Sequence, residues 1–257
     1  GNKIEEGSEK KLIEFHEPVG ISSHHAGSIE FGPSGCLFIS TGDDTSPGGD
    51  SKGYAPIDNR PGQLRLSAEK SSSNPFSYNG KVLRIRPMDD GGYEVPAGNL
   101  FPKDGTKGLP EVYVMGCRNP WRINLNQKTG TLYFGDVGPD AYLEGERGPA
   151  GHDEINQVKQ AGNFGWPYFV GNNFAYPMRD FNTSELHPAQ NPDAPVNHSL
   201  YVEGNLTLPP AKPAFIWYRT KGTPEFKILR GGGMRSRAFG RTACAGPVFH
   251  YNSKLKS

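Results

Sequence analysis

The chain has 257 residues, enough for one large domain or two small ones, and its 28 Lys+Arg against 27 Asp+Glu leave a formal net charge of +1, which argues against a nucleic-acid protein. Aromatic residues reach 11%, too many for a disordered chain, and the 34 glycines and 23 prolines show no Gly-X-Y period, so the chain is not collagen-like. A folded chain this rich in turn residues favours short strands over long helices.

In chain order, the polar start Gly1-Asn2-Lys3-Ile4-Glu5-Glu6 reads as no signal peptide. Ser28-Ile29-Glu30-Phe31 alternates, Gly32-Pro33-Ser34-Gly35 turns and Cys36-Leu37-Phe38-Ile39-Ser40 returns, which predicts a hairpin. Lys81-Val82-Leu83-Arg84-Ile85-Arg86 and Val112-Tyr113-Val114 predict further strands. Arg122-Ile123-Asn124-Leu125, the turn Asn126-Gln127-Lys128-Thr129-Gly130 and Thr131-Leu132-Tyr133-Phe134 repeat the first hairpin. Gly35 then corresponds to Gly130, an offset of 95, which at roughly 40–50 residues per propeller blade reads as two blades. Asp153-Glu154-Ile155-Asn156-Gln157-Val158 reads as a short helix or turn, and Ala214-Phe215-Ile216-Trp217-Tyr218 and Pro247-Val248-Phe249-His250-Tyr251 as late strands. Three long polar segments, 44–77, 140–152 and 172–211, read as insertions on one face, where they could roof a site. No run of 18 apolar residues offers a transmembrane helix. Cys36, Cys117 and Cys244 lack zinc or disulfide spacing. The sequons at Asn182, Asn197 and Asn205 read as chance matches in an Asn-rich chain.

Four patches carry candidate chemistry. In Ser22-Ser23-His24-His25-Ala26-Gly27 with Gly42-Asp43, a histidine facing a channel would serve as general base, as an alternative to a hydrogen-bonded loop histidine. Gly116-Cys117-Arg118-Asn119-Pro120-Trp121 sets a guanidinium fork beside an amide, or a surface turn. Gly135-Asp136-Val137-Gly138-Pro139-Asp140 offers turn carbonyls and carboxylates to a hard cation, without EF-hand spacing. Gly231-Gly232-Gly233-Met234-Arg235-Ser236-Arg237 with Arg241 suits a polyanion or is a solvated basic loop.

In their order and spacing these strings, with Gly80-Lys81-Val82-Leu83-Arg84-Ile85, Pro110-Glu111-Val112-Tyr113, and Asp153-Glu154-Ile155-Asn156 followed by Gly162-Asn163-Phe164-Gly165-Trp166-Pro167, resemble the quinoprotein sugar dehydrogenases of the soluble glucose and sorbosone dehydrogenase type, which use pyrroloquinoline quinone (PQQ). The match is firm from about residue 10 to 170 and weaker from 213 to 251. The resemblance implies an all-β, six-bladed β-propeller of four-stranded antiparallel blades. This chain would hold part of it, as a single domain over 1–257 interrupted by the three insertions, with the remainder supplied by the same or another chain.

It also implies PQQ- and Ca²⁺-dependent oxidation of an aldose or related aldehyde by hydride transfer to the quinone. His25 matches the base and Arg118 the arginine beside the quinone oxygens. Asn119, Asp43 and Asp153 match cofactor-pocket positions, Arg237 and Arg241 are assigned to carboxylate or substrate contacts, and the carbonyls of Gly138 and Pro139 match the Ca²⁺ ligands. A cytochrome c or a quinone would take the electrons, in a periplasmic or extracellular setting. The sequence departs from the family at His24, where an acidic residue commonly stands, at Val137 for Gln or His, and at Ser28 for glycine. The alternative reading is a non-catalytic propeller serving as a binding or scaffold module of a larger extracellular assembly. A metal-dependent lactonase on a similar propeller fits less well, because the matched set is His and Arg rather than converging carboxylates.

Overall fold

The computed structural model describes residues 3–17, 23–220, 223–226 and 241–251. Its regular structure is almost entirely β, with helix confined to three single 3₁₀ turns among the described residues. Two antiparallel meanders dominate. In the first, Ser28–Phe31 pairs with Leu37–Thr41, which pairs with Lys81–Pro87, which pairs with Val112–Met115. In the second, Arg122–Leu125, Leu132–Asp136, Asp153–Val158 and Ile216–Tyr218 follow in the same way. Each meander has four strands; the first sheet gains Tyr93–Glu94 beside Arg86 and Pro87 and Gly162–Asn163 parallel to Val114 and Met115, and the two sheets do not close on themselves, so the chain forms part of a propeller.

The predicted hairpins occupy matching positions. Gly35 (φ +73°) and Gly130 (φ +71°) both take the left-handed conformation that ends the turn, which glycine adopts without steric cost. The 95-residue offset nevertheless spans one blade step, not two, because the first blade carries residues 42–80 between its second and third strands. The apolar positions that the alternation picks out face each other between the blades. Cys36, Phe38, Val82 and Val114 of one pack with Ile123, Leu125, Leu132, Phe134 and Val158 of the other.

The expectation for Asp153–Val158 is overturned. It is a six-residue strand paired on both sides, with Ile216–Tyr218 on one and Leu132–Asp136 on the other. Its polar residues conceal the strand period because Asp153, Glu154 and Asn156 are themselves buried. The segment Pro247–Tyr251 forms no strand, although the Val248 N–H donates to Asn124 Oδ1 at 3.0 Å.

The insertions are ordered against one another. Residues 44–77 wind through the 3₁₀ turns Gly49–Ser51, Leu64–Leu66 and Ala68–Lys70. Residues 172–211 contribute two-residue ribbon strands. Asn197 Nδ2 donates to the carbonyls of Glu69 and Ser73 and is fully buried, so that sequon is closed to modification. All three cysteines are free. No helix among the described residues is long and apolar enough to cross a membrane.

Candidate active site

In an antiparallel meander the starts of odd strands and the ends of even strands share one end of the sheet. The loops there hold the candidate residues. His24 and His25 precede Ser28–Phe31, Asp43 follows Leu37–Thr41, and Arg118 and Asn119 leave Val112–Met115 for the second blade. Val137, Gly138 and Pro139 follow Leu132–Asp136, and His152 precedes Asp153–Val158. The topology thereby gathers residues far apart in sequence, as binding sites on rigid scaffolds commonly require.

At the centre is Asp43, fully buried. Its Oδ1 lies 3.0 Å from His24 Nδ1 and accepts from the Thr45 N–H (2.9 Å) and hydroxyl (2.8 Å). Its Oδ2 accepts Trp166 Nε1–H at 2.8 Å. Burial works against ionisation, but the charge and hydrogen bond of His24, the Arg118 charge and the Trp166 N–H outweigh it and hold the Asp43 carboxyl below its usual range. When His24 is neutral, the acceptor Asp43 favours the tautomer with the hydrogen on Nδ1 and the lone pair on Nε2. His24 (φ +61°), Ala26 (φ +50°) and Asp44 (φ +52°) are all left-handed non-glycine residues. Each costs about 1–3 kcal/mol, a strain that clusters at functional sites.

Two contacts fix this loop. The Ala26 N–H donates to Asn119 Oδ1 at 2.8 Å. Gly42 passes so close that a Cβ there would sit 1.7 Å from the His24 carbonyl oxygen. Asn119 thus positions the histidine loop. Its own N–H and that of Arg118 donate to the two oxygens of Asp136 at 2.6 and 2.8 Å. The Arg118 guanidinium, 5.8 Å from the Trp166 ring centre, donates to the Val137 carbonyl at 3.2 Å.

The two adjacent histidines face differently. His25 Nδ1 lies 2.9 Å from Glu17 Oε2 and its side chain is 38% exposed, whereas that of His24 is 9% exposed. The structure therefore gives His24, not His25, the buried carboxylate partner. Arg241 is placed with Asp153, 3.3 Å from Nη1 to Oδ1, and donates from Nη2 to the Pro139 carbonyl at 2.7 Å. Asp153 also accepts the N–H groups of Gly138 and Ala243. Arg237 lies outside the described residues.

Sequence reasoning gave no role of their own to four participants: His24, Trp166, Asp136 and Glu154. Trp166 sits in the most specific matched string, and Asp136 in the Gly-Pro patch read as a cation site. Burial pushes Asp136 up to about 7. Burial, with the nearby Asp136 charge, pushes Glu154 up to about 8. Burial also brings His152 down to about 4. Perturbed groups of this kind mark functional sites. Two hollows of about 210 and 200 Å³ of empty space open here, and both are lined by Arg118 and Pro139.

The glucose/sorbosone dehydrogenase family model matches residues 5–227. The chain belongs to that family. It is 31% identical over 203 residues to the HIPL1 protein of Arabidopsis thaliana, a match covering 72% of this chain and 25% of that protein. It is 28% identical over 173 residues to quinoprotein glucose dehydrogenase B of Acinetobacter calcoaceticus, covering 66% and 31%. Among solved structures, the PQQ-bound aldose sugar dehydrogenase of Streptomyces coelicolor shares 30% identity over 60% of this chain and 35% of that one, with a TM-score of 0.35. The chain thus spans about a quarter to a third of the length of these curated relatives.

PQQ is a planar tricarboxylate with an ortho-quinone edge, so its site needs cationic donors. The lining of both hollows supplies the buried Arg118 guanidinium, while Arg241, bonded to the Pro139 carbonyl, is ion-paired with Asp153. The Arg118 donor fits the group. Each hollow by itself is smaller than the roughly 300–1,000 Å³ of ordinary ligand pockets. Calcium at the Gly138–Pro139 turn fits less well, because the Pro139 carbonyl already accepts from a buried cation. Two unit charges 4 Å apart repel by about 4 kcal/mol at an effective dielectric constant of 20, and a divalent ion doubles that.

Proposed function

We propose that this chain forms one wall of the active site of a PQQ-dependent dehydrogenase that oxidises an aldose or related sugar at a hydroxyl-bearing carbon. PQQ, when bound, supplies the two-electron acceptor for the hydride. The chain's own part is proton transfer, orientation and charge. His24 Nε2 takes the proton from the sugar hydroxyl as the C–H bond breaks and the carbonyl forms. Asp43 holds the Nδ1–H tautomer and stabilises the imidazolium that results. Arg118 offers positive charge where negative charge develops on the reduced acceptor. Asn119 and Gly42 fix the loop that presents the imidazole.

The observation that carries this reading is the pair His24–Asp43, buried beside Arg118 in the segment that matches the family. We assign the base role to His24 rather than His25, because the carboxylate beside His24 is the fully buried Asp43, whereas His25 pairs with the partly exposed Glu17. The Gly138–Pro139 carbonyls are assigned no step.

The test is a titration of the full-length protein with PQQ, followed by quinone absorbance, with an aldose added after saturation. Stoichiometric binding and conversion to the reduced quinone support the reading. Absence of binding at micromolar PQQ overturns it, and leaves a propeller retained for its surface.

A further inference from the structure

We propose that the Arg241 guanidinium holds the place of a divalent cation at the Gly138–Pro139 turn, so that the protein takes up no calcium there while the arginine is present. This goes beyond the dehydrogenase reading. Its test reads metal uptake, so the failure of either leaves the other standing.

The first support is position. Nη2 of Arg241 donates to the Pro139 carbonyl at 2.7 Å, the oxygen that a hard cation at this turn would take as a ligand. The turn is rigid and crowded. A Cβ at Gly138 would lie 1.8 Å from the His152 carbonyl oxygen, and one at Gly151 would lie 1.6 Å from the Pro139 oxygen. The carbonyl therefore has little freedom to turn away from the arginine.

The second support is anchorage. The Arg241 side chain is 8% exposed and its Nη1 stands 3.3 Å from Oδ1 of the fully buried Asp153. Asp153 Oδ2 accepts the Ala243 N–H at 2.7 Å, which straps the chain two residues beyond the arginine to the same carboxylate. Asp153 Oδ1 accepts the Gly138 N–H at 3.0 Å. One carboxylate thus ties together the turn, the guanidinium and the segment that carries it.

The experiment is calorimetric titration of the full-length protein, stripped with EDTA, with CaCl₂, comparing wild type, R241A and R241Q. The Gln variant removes the charge but keeps most of the side chain, in case R241A does not fold. Removing the charge is expected to raise calcium affinity at least about tenfold, and calcium should raise the melting temperature of the variant and not of the wild type. A gain of less than about tenfold, or a wild type that binds calcium as tightly as the variants, overturns the proposal.

Discussion

His24 Nδ1 lies 3.0 Å from Oδ1 of Asp43, and the imidazole is presented from a residue held at φ +61°. The carboxylate is in turn pinned by Thr45 and by the Trp166 indole, so neither ring nor acid has room to drift. That is the arrangement general-base chemistry uses, an imidazole whose tautomer is set by the bond its other nitrogen makes. His25, one residue on, faces Glu17 and solvent instead.

Substituting the two histidines separates their roles. In the PQQ-loaded full-length protein, H24A is expected to lower kcat/KM with an aldose by about 10²–10⁴-fold, the range of a positioned general base. H25A should cost less than H24A. Steady-state kinetics checks the order, and a larger loss in H25A returns the base to that residue.

Gly42 carries no functional group, yet G42A should damage the site. Its Cβ would meet the His24 carbonyl oxygen at 1.7 Å and Asn119 Oδ1 at 2.8 Å, atoms that cannot both yield without moving the histidine loop. We expect G42A to destabilise the protein by about 1–3 kcal/mol, as overpacking does, and to lower PQQ-dependent turnover. Urea unfolding gives the first number. A variant with wild-type stability and turnover would show that the loop relaxes freely.

The hairpins, their turn glycines and the order of the matched strings were legible in the sequence, because alternation and Gly-Pro punctuation are local signals. The facing of His24 and His25 was not. Side-chain alternation holds only in extended backbone, and left-handed residues at 24 and 26 break it. The strand Asp153–Val158 was obscured for a different reason. Its inward residues include a carboxylate and an amide whose partners, such as the Gly171 N–H on Glu154 Oε1 at 2.6 Å, come from elsewhere in the fold. The blade spacing was misread because the repeat counted residues, and 42–80 adds length to one blade without adding a blade.

Lys81, inside a predicted strand, is fully buried and its Nζ donates to the carbonyls of Ser71, Ser72 and Asn79 at 2.6, 3.1 and 2.8 Å. It fastens the insertion that ends at residue 80 to the first blade. K81M keeps the volume and removes the donors, which leaves three buried carbonyls short of a partner at about 1–3 kcal/mol each. A loss of about 3 kcal/mol or more is expected in urea unfolding at pH 7. A loss below about 1 kcal/mol would mean that the carbonyls find other donors.

Glu154 gives the pH dependence its sign. Burial, then the Asp136 charge, raises its folded-state value to about 8, against about 4.3 in an unfolded chain. Between those values the folded protein holds a proton that the unfolded chain has released. The contribution to stability is therefore fully present below about 4.3 and is lost as pH rises through about 8. Asp136, raised to about 7 by burial, acts in the same direction. Lys81, lowered to about 7 by burial, acts in the opposite direction above that pH, so the wild-type curve alone mixes the two. The comparison with E154Q isolates Glu154. Asn156 Nδ2 donates to Glu154 Oε2 at 3.0 Å while Asn156 Oδ1 is buried without a partner. Rotating that amide lets Oδ1 accept from the glutamine as it would from a protonated Glu154, so the substitution mimics the neutral acid. Urea unfolding at pH 5, 6.5 and 8 should show wild-type stability falling relative to E154Q as pH rises. Parallel curves across that range would show that Glu154 is ionised throughout, and that its negative charge is balanced within the fold.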